Sequence, residues 1–195
     1  MVSILCTSRS GASNLSLYLK NVLKLGLTNS PFLKKKSELG SLKKNVLYKL
    51  MIHNLPYGYK DLYRYGKDVI KLSDVVILYD RKNKIEQAES LAFRKQKYKN
   101  DYSKYHINEP YDNISEDNVN MCLKYYNKQS EVITKLSKEF KVPIFWYEEL
   151  YYEDGLEKLS NYLKVDIDKK YKEMFLSIEK KERVLKLKGD LIWYK

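Results

Sequence analysis

The sequence opens with Met1-Val-Ser-Ile-Leu-Cys-Thr-Ser-Arg-Ser-Gly-Ala-Ser-Asn-Leu15, and this stretch decides the fold. The apolar run from Val2 to Cys6 stops at Thr7-Ser-Arg-Ser-Gly11, and from Leu15 onward apolar residues recur three or four positions apart. The pattern predicts a strand, a tight turn and a helix. Such a turn directs backbone N–H groups and the positive end of the helix dipole at one point, which suits a phosphate.

This loop lacks the lysine of a nucleotide-binding P-loop. Gly11 is followed by Ala12 and Ser13, where a Walker A loop carries Gly-Lys-Ser or Gly-Lys-Thr. We therefore expect an anionic ligand at the loop. ATP with magnesium is not the first candidate for that ligand.

The composition is that of a basic globular chain. With 195 residues, of which 44% are hydrophobic, it can bury one core, and we predict a single domain over 1–195 with a charged, helical tail from about Asp166. Lys and Arg number 37 against 25 Asp and Glu, a net charge of +12 that favours anionic partners such as nucleotides, acidic glycans, nucleic acid or a membrane surface. The basic residues are scattered, with Lys34 to Lys36 the longest run, which is typical of a solvated surface.

Cysteine and histidine are rare in this chain. Cys6 and Cys122 lie far apart without a metal-ligand spacing, and His53 and His106 are the only histidines, so we predict no metal site and two buried cysteines. No signal peptide precedes the first strand, and no apolar run approaches the ~20 residues that span a bilayer. We expect a soluble, cytoplasmic protein without a membrane span.

Strands and helices alternate along the chain, which predicts an α/β fold with an open, mostly parallel sheet. The predicted strands are 2–6, 45–53, 75–79 and 142–147. The predicted helices are one from the loop to a stop at Gly26, then 59–67, 84–97, 115–141, one capped by Asp154, and one around 171–183. Thr28 to Pro31 is predicted to be a turn, and Asn100 to Ile114 a long irregular connection.

Several polar residues follow the predicted strands and should meet at one rim of the sheet, where such sheets bind ligands. They are Ser8 to Asn14, His53, Asp80-Arg81 and Glu148-Glu149. Ser90 lies nine residues beyond Arg81, within the following helix. A guanidinium and a hydroxyl that converge suit a terminal phosphate. The alternative is a surface arginine and an exposed helical serine.

Three segments resemble the cofactor-binding motifs of sulfotransferases. Thr7 to Leu15 is similar to their 5′-phosphosulfate loop, and Tyr79-Asp-Arg-Lys-Asn-Lys-Ile-Glu-Gln-Ala-Glu-Ser-Leu91 to their 3′-phosphate motif, in the form found in the bacterial trehalose-sulfotransferase-like group. Trp146-Tyr-Glu-Glu-Leu150 resembles their Tyr-Glu-Asp-Leu strand end. The resemblance covers Val2 to Val165. It implies a three-layer P-loop NTPase-like fold, with a mostly parallel sheet flanked by helices, and the use of 3′-phosphoadenosine 5′-phosphosulfate without a metal.

The resemblance also implies roles for single residues. Arg9 takes the position that contacts the sulfate and the bridging oxygen. The 5′-phosphate would be bound by Ser10, Gly11, Ala12, Ser13 and Asn14. Arg81 and Ser90 would hold the 3′-phosphate, and Tyr147 would lie near the adenine. Sulfuryl transfer, like phosphoryl transfer, has a loose in-line transition state, so catalysis is mainly positioning and charge stabilisation.

The general base has more than one candidate. Met51-Ile-His-Asn-Leu-Pro56 is similar to the Lys-Thr-His-x-Pro segment of cytosolic sulfotransferases, in which the histidine is the base. Met51 stands in place of that lysine, and the alternative reading of His53 is a structural histidine at a strand end. The trehalose-type group has a glutamate shortly after the first helix, for which Glu38 is the nearest candidate. His106 would contact the acceptor or lie exposed in a loop, and Glu148 is expected to be a structural partner.

We therefore predict a sulfotransferase that acts on a hydroxyl of a small molecule or a carbohydrate. Its acceptor pocket would be formed by 30–44 and 100–114, or completed by a second subunit in a homodimer. Three alternatives stay open. They are a P-loop-type nucleotide or small-molecule kinase, a basic nucleic-acid-binding module, against which the scattered charge argues, and an inactive relative that only binds nucleotide.

Overall fold

The structure, a computed structural model, describes residues 1–8, 10–29, 42–52, 61–98, 114–166, 169 and 171–177. Its strands are β1 Val2–Cys6, β2 Gly26–Asn29, β3 Val46–Met51, β4 Val75–Asp80 and β5 Ile144–Trp146. They form one sheet in the order β2-β3-β1-β4-β5, and every neighbouring pair is parallel. The predicted parallel α/β sheet is confirmed.

The central strand β1 carries the loop that the sequence singled out. Because β1, β3 and β4 are near-continuous apolar runs, they are buried on both faces, as the inner strands of parallel sheets are. Cys6, the last residue of β1, pairs with Met51 on one side and with Tyr79 on the other. The carboxyl ends of three strands therefore meet beside the loop.

Helices cover both faces of the sheet. They are α1 Ala12–Leu23, α2 Leu62–Leu72, α3 Lys84–Tyr98, α4 Glu116–Phe140, α5 Tyr147–Tyr152 and α6 Gly155–Leu163, and residues 171–177 are also helical. One face packs on α1 and α6, whose buried side chains include Leu15, Leu19 and Leu159. The other packs on α2 and α4 through Val69 and Ile133. These are the three layers that the resemblance implied.

Close contact between α2 and α4 depends on Gly66. A Cβ atom at position 66 would lie 2.3 Å from Leu136 Cδ1, so only a glycine lets the two helices approach this closely. Further along α4, Cys122 and Tyr126 pack against Ala88 and Ala92 of α3. Both cysteines are buried free thiols, as predicted.

Some predicted boundaries are wrong. Gly26–Asn29 is an edge strand rather than a helix stop and a turn, because pairing with β3 gives this short segment its extended shape. Tyr147 begins α5 instead of ending a strand. The helix predicted from 59 begins at Leu62, where the side chain of Asp61 accepts a hydrogen bond from Arg64 N, and continues to Leu72.

Other predictions fall on residues outside the described ranges. These are the end of the strand at His53, Ser30 and Pro31 of the predicted turn, most of the connection 100–114 and the tail beyond residue 177. Within the described ranges, no helix is both long enough and apolar enough to cross a membrane.

Candidate anion-binding site

The loop after β1 is a closed turn at the N-terminus of α1. Ser10 is buried, and its hydroxyl donates to the carbonyl oxygen of Thr7 at 2.8 Å. Gly11 is the N-cap residue and has a φ of +83°, which is the left-handed region that favours glycine. Ala12 is buried, Ser13 is exposed, and Asn14 N donates to Gly11 O at 3.1 Å. The loop thus has the strand, turn and helix arrangement that suits an anion.

A buried polar network fixes this loop to the end of β4. The Asp80 carboxylate is fully buried, and its Oδ1 accepts hydrogen bonds from Thr7 Oγ1 at 2.7 Å and from the Arg81 backbone N–H at 2.8 Å. The same oxygen pairs with the Lys84 ammonium. Burial lowers the pKa of Lys84, and the nearby Asp80 opposes that shift. The carboxylate is therefore neutralised within the chain.

Two further side chains hold the loop, and sequence reasoning assigned a role to neither. The buried Gln87 amide donates to Thr7 Oγ1 at 2.9 Å and also to the Ser8 carbonyl. The hydroxyls of Ser8 and Tyr126 lie 3.1 Å apart, which connects the loop to α4. Gln87 belongs to the Gln-Ala-x-Ser-Leu segment, so its position was visible. Tyr126 looked like any apolar position of α4.

Arg81, predicted to bind a phosphate, is almost completely buried, with 3% of its surface exposed. Its Nη2 atom pairs with Glu86, and its Nε atom lies 3.8 Å from Glu148 Oε1. Its guanidinium carbon is 4.6 Å from the centre of the Tyr147 ring. Among the described residues, Nε and Nη1 have no hydrogen-bond partner. Buried arginine donors are normally satisfied, so these two atoms point to a ligand or a bound water.

Tyr147 lies between the two halves of the site. A Cβ atom at Gly11 would meet Tyr147 Cδ2 at 2.7 Å, and the same ring contacts the Arg81 guanidinium. Tyr147 as a whole is 4% exposed. Tyr147 therefore connects the loop to Arg81, a contact that the sequence motifs did not indicate.

Of the remaining residues that the sequence singled out, the structure describes Ser90 and Glu148. Ser90 is buried on α3, one turn beyond Glu86 and on the same helix face. Glu148 accepts the backbone N–H groups of Lys82 at 2.8 Å and Asn83 at 2.9 Å, so it closes the turn between β4 and α3. This is the structural role expected of Glu148. Arg9, Glu38, His53 and His106 lie outside the described residues.

Lys49 adds a positive charge that sequence reasoning missed. Its Nζ atom donates to Ser13 Oγ at 2.9 Å, at the first turn of α1, and burial lowers its pKa. The sequence feature that could have indicated this role is a charged residue within the otherwise apolar strand Val46–Met51. By contrast, Cys6 is no candidate nucleophile, because burial raises the pKa of its thiol to about 12.

No protein-family model matches this sequence, and neither does any curated protein. Among solved structures, the fold is similar to that of mouse sulfotransferase SULT7A1 complexed with PAP, with a TM-score of 0.54 and 14% sequence identity. The similarity covers 90% of this chain and 62% of the sulfotransferase, so this chain spans less than two thirds of that protein's length. At this identity the likeness establishes the fold alone, an α/β fold similar to that of the sulfotransferase.

A second solved structure is the YorR protein from Bacillus subtilis in complex with phosphorylated GDP. It shares 13% identity over 84% of this chain and 95% of that chain. Its TM-score of 0.44 is too low to support a conclusion.

Proposed function

We propose that this chain is a sulfotransferase that moves a sulfuryl group from 3′-phosphoadenosine 5′-phosphosulfate to an acceptor hydroxyl. The observation that carries the proposal is the buried guanidinium of Arg81. Its Nε and Nη1 atoms have no hydrogen-bond partner within the described ranges, and the Tyr147 ring joins it to the Gly11 loop. Two features suited to anions thus lie on either side of one aromatic ring. This arrangement suits a nucleotide that carries phosphates on both its 3′ and 5′ positions.

Each end of the nucleotide has residues that would hold it. The 5′-phosphate would be bound by the loop residues Ser10, Gly11, Ala12, Ser13 and Asn14, with Lys49 beside them. Arg81 and Ser90 would hold the 3′-phosphate, and Tyr147 would lie near the adenine. Arg9 would contact the sulfate. No metal is needed, because the cations and the N–H groups of the chain offset the negative charge.

The donor supplies an activated sulfuryl group, whose bond to the bridging phosphate oxygen breaks as the acceptor oxygen bonds to sulfur. The helix N-terminus at Gly11, the Lys49 ammonium and Arg9 would stabilise the charge that develops on the phosphate. The proton of the acceptor hydroxyl must pass to a base, and His53 and Glu38 are the candidates. The acceptor, a small molecule or a carbohydrate, and a homodimeric state are parts of the same proposal.

Titration calorimetry with adenosine 3′,5′-bisphosphate, the desulfated product, tests the proposal. We expect binding in EDTA, and Arg81→Ala should weaken it by at least about tenfold because a buried charged contact is lost. Lys82→Ala, which changes an exposed side chain next in sequence, should change affinity by less than about twofold. Absence of binding to the unaltered protein would overturn the proposal.

The kinase alternative makes a different prediction. Asp80 is the carboxylate bonded to the loop, and Lys84 already neutralises it. ATP that bound only with magnesium, and more tightly than the bisphosphate, would favour a kinase over a sulfotransferase.

A further inference from the structure

Arg81 is already paired with a carboxylate of its own chain. Glu86, which is 9% exposed, is paired with Nη2 of the Arg81 guanidinium, the group that also carries Nε. Glu148 stands 3.8 Å from that Nε atom. Two carboxylates therefore face one guanidinium before any ligand arrives.

Glu86 is held firmly in this position. Asn83 Nδ2 donates to Glu86 Oε2 at 3.2 Å, and Asn83 Oδ1 accepts the backbone N–H of Glu86 at 3.1 Å. The Asn83 side chain thus both caps the start of α3 and orients the Glu86 side chain. Moving the carboxylate away from Arg81 would break its ion pair with Arg81 and its hydrogen bond from Asn83 Nδ2.

An anion that approaches Arg81 meets this fixed negative charge. In a buried site, charges interact more strongly than in water, and the phosphate must either share the guanidinium with Glu86 or displace it. Glu148 is less of a competitor, because its two carboxylate oxygens accept the N–H groups of Lys82 and Asn83.

We propose that Glu86 is a built-in competitor for the phosphate at Arg81, and that it sets the affinity and selectivity of that half of the site. This inference rests on the proposed function. Glu86 lowers the affinity for a 3′-phosphate and leaves binding at the Gly11 loop unaffected. The result is a product that dissociates more readily than an unopposed Arg81 would allow.

A supporting role for Glu86 would change the affinity in the opposite direction. If Glu86 served only to hold Arg81 in place, its removal would weaken binding, because the guanidinium would lose its orientation. The direction of a single affinity change therefore separates competition from support.

The test compares the unaltered protein with Glu86→Gln and with Glu157→Gln, which neutralises an exposed glutamate on α6. Each is titrated by calorimetry with adenosine 3′,5′-bisphosphate and with adenosine 5′-phosphate, which lacks the 3′ group. We expect Glu86→Gln to bind the bisphosphate about tenfold more tightly and the monophosphate within about twofold of the unaltered protein. Glu157→Gln should change neither.

Thermal unfolding gives a second readout that holds even if the variant folds poorly. Without ligand, Glu86→Gln should melt at a lower temperature, because the buried guanidinium loses its ion-pair partner. With saturating bisphosphate, its rise in Tm should exceed that of the unaltered protein. Glu86→Asp, which keeps the charge on a shorter side chain, should bind with intermediate affinity.

The outcomes separate this inference from the function on which it rests. If the unaltered protein binds the bisphosphate and Glu86→Gln binds it equally or more weakly, the competitor role is wrong and the proposed function stands. A gain that appears equally for the monophosphate would also overturn it, since the effect would not be specific to Arg81. If none of the proteins binds the bisphosphate, both proposals fail.

Discussion

The ring of Tyr147 lies directly against the Cα of Gly11, so closely that a methyl group at position 11 would meet Tyr147 Cδ2 at 2.7 Å. The same ring also contacts the guanidinium of Arg81. A residue at the start of α5 therefore lies between the Gly11 loop and the arginine that follows β4. The geometry of the site depends on packing as much as on the motifs themselves.

Gly11→Ala should strongly destabilise the protein. The residue has a φ of +83°, which costs an L-residue about 1–2 kcal/mol, and overpacking against Tyr147 adds about 1–3 kcal/mol. We expect a loss of roughly 2–5 kcal/mol in the free energy of unfolding, measured by urea titration.

Gly26→Ala is the matched control for Gly11→Ala. A Cβ atom there would meet Val46 Cγ2 at 3.8 Å, which is ordinary van der Waals contact, so the change should stay within about 0.5 kcal/mol. Equal effects of the two substitutions would contradict the argument from φ and packing.

Gly66→Ala should force α2 and α4 apart. The added methyl group would clash with Leu136 Cδ1, and the expected loss is about 1–3 kcal/mol despite the better helix propensity of alanine. In a double-mutant cycle, Leu136→Ala should cost less in the Gly66→Ala background than alone, because the new methyl group fills part of the cavity. Additive losses in unfolding by urea would show that the contact is not the cause.

Thr7→Val should weaken both stability and ligand binding. The hydroxyl donates to Asp80 and accepts from Gln87, and its loss leaves two buried polar groups with one partner fewer. We expect a loss of about 1–3 kcal/mol in the free energy of unfolding, together with weaker binding of adenosine 3′,5′-bisphosphate.

The control for Thr7→Val is Ser177→Ala. It removes an exposed hydroxyl that donates to Met174 O three residues away, and it should change stability by less than about 0.5 kcal/mol. If Thr7→Val kept full stability and affinity, the network would have no part in holding the loop.

Lys49→Met should raise stability at neutral pH while lowering affinity for the bisphosphate. Burial places the pKa of Lys49 below its unfolded value of about 10.4, so the unfolded chain binds more protons between the two values. The contribution of Lys49 to stability therefore rises with pH through that window. The variant should lack this rise, and its affinity should fall about tenfold with the loss of a cation at the loop.

Urea titrations at about pH 7 and pH 10 check the stability part of this prediction. Lys20→Met, which replaces an exposed lysine of α1, is the control and should alter neither the pH dependence nor the affinity. A variant less stable than the unaltered protein at pH 7 would show that Lys49 stabilises the fold rather than straining it.

The α/β class could be predicted because it depends on local pattern. Val2–Cys6 and Val75–Asp80 are mainly apolar runs, which are stable only when both faces of the strand are buried. This property can be recognised from the sequence alone. The loop at Gly11 and the position of Arg81 at a strand end follow from the same pattern. The strand Gly26–Asn29 was not predicted, because four residues are too few to show a hydrophobic period. Only pairing with the neighbouring strand makes this segment extended.

By itself, then, the sequence determined most of the alternation of strands and helices, the loop at Gly11 and the place of Arg81 after a buried strand. Only the tertiary structure decided that Glu86 pairs with Arg81, that Lys49 reaches Ser13, and that Tyr147 separates the two halves of the site. The physical reason is that the contacts of Lys49 with Ser13, of Tyr147 with Gly11 and of Tyr147 with Arg81 join distant parts of the chain. Such contacts depend on strand register and helix packing, which no local pattern encodes.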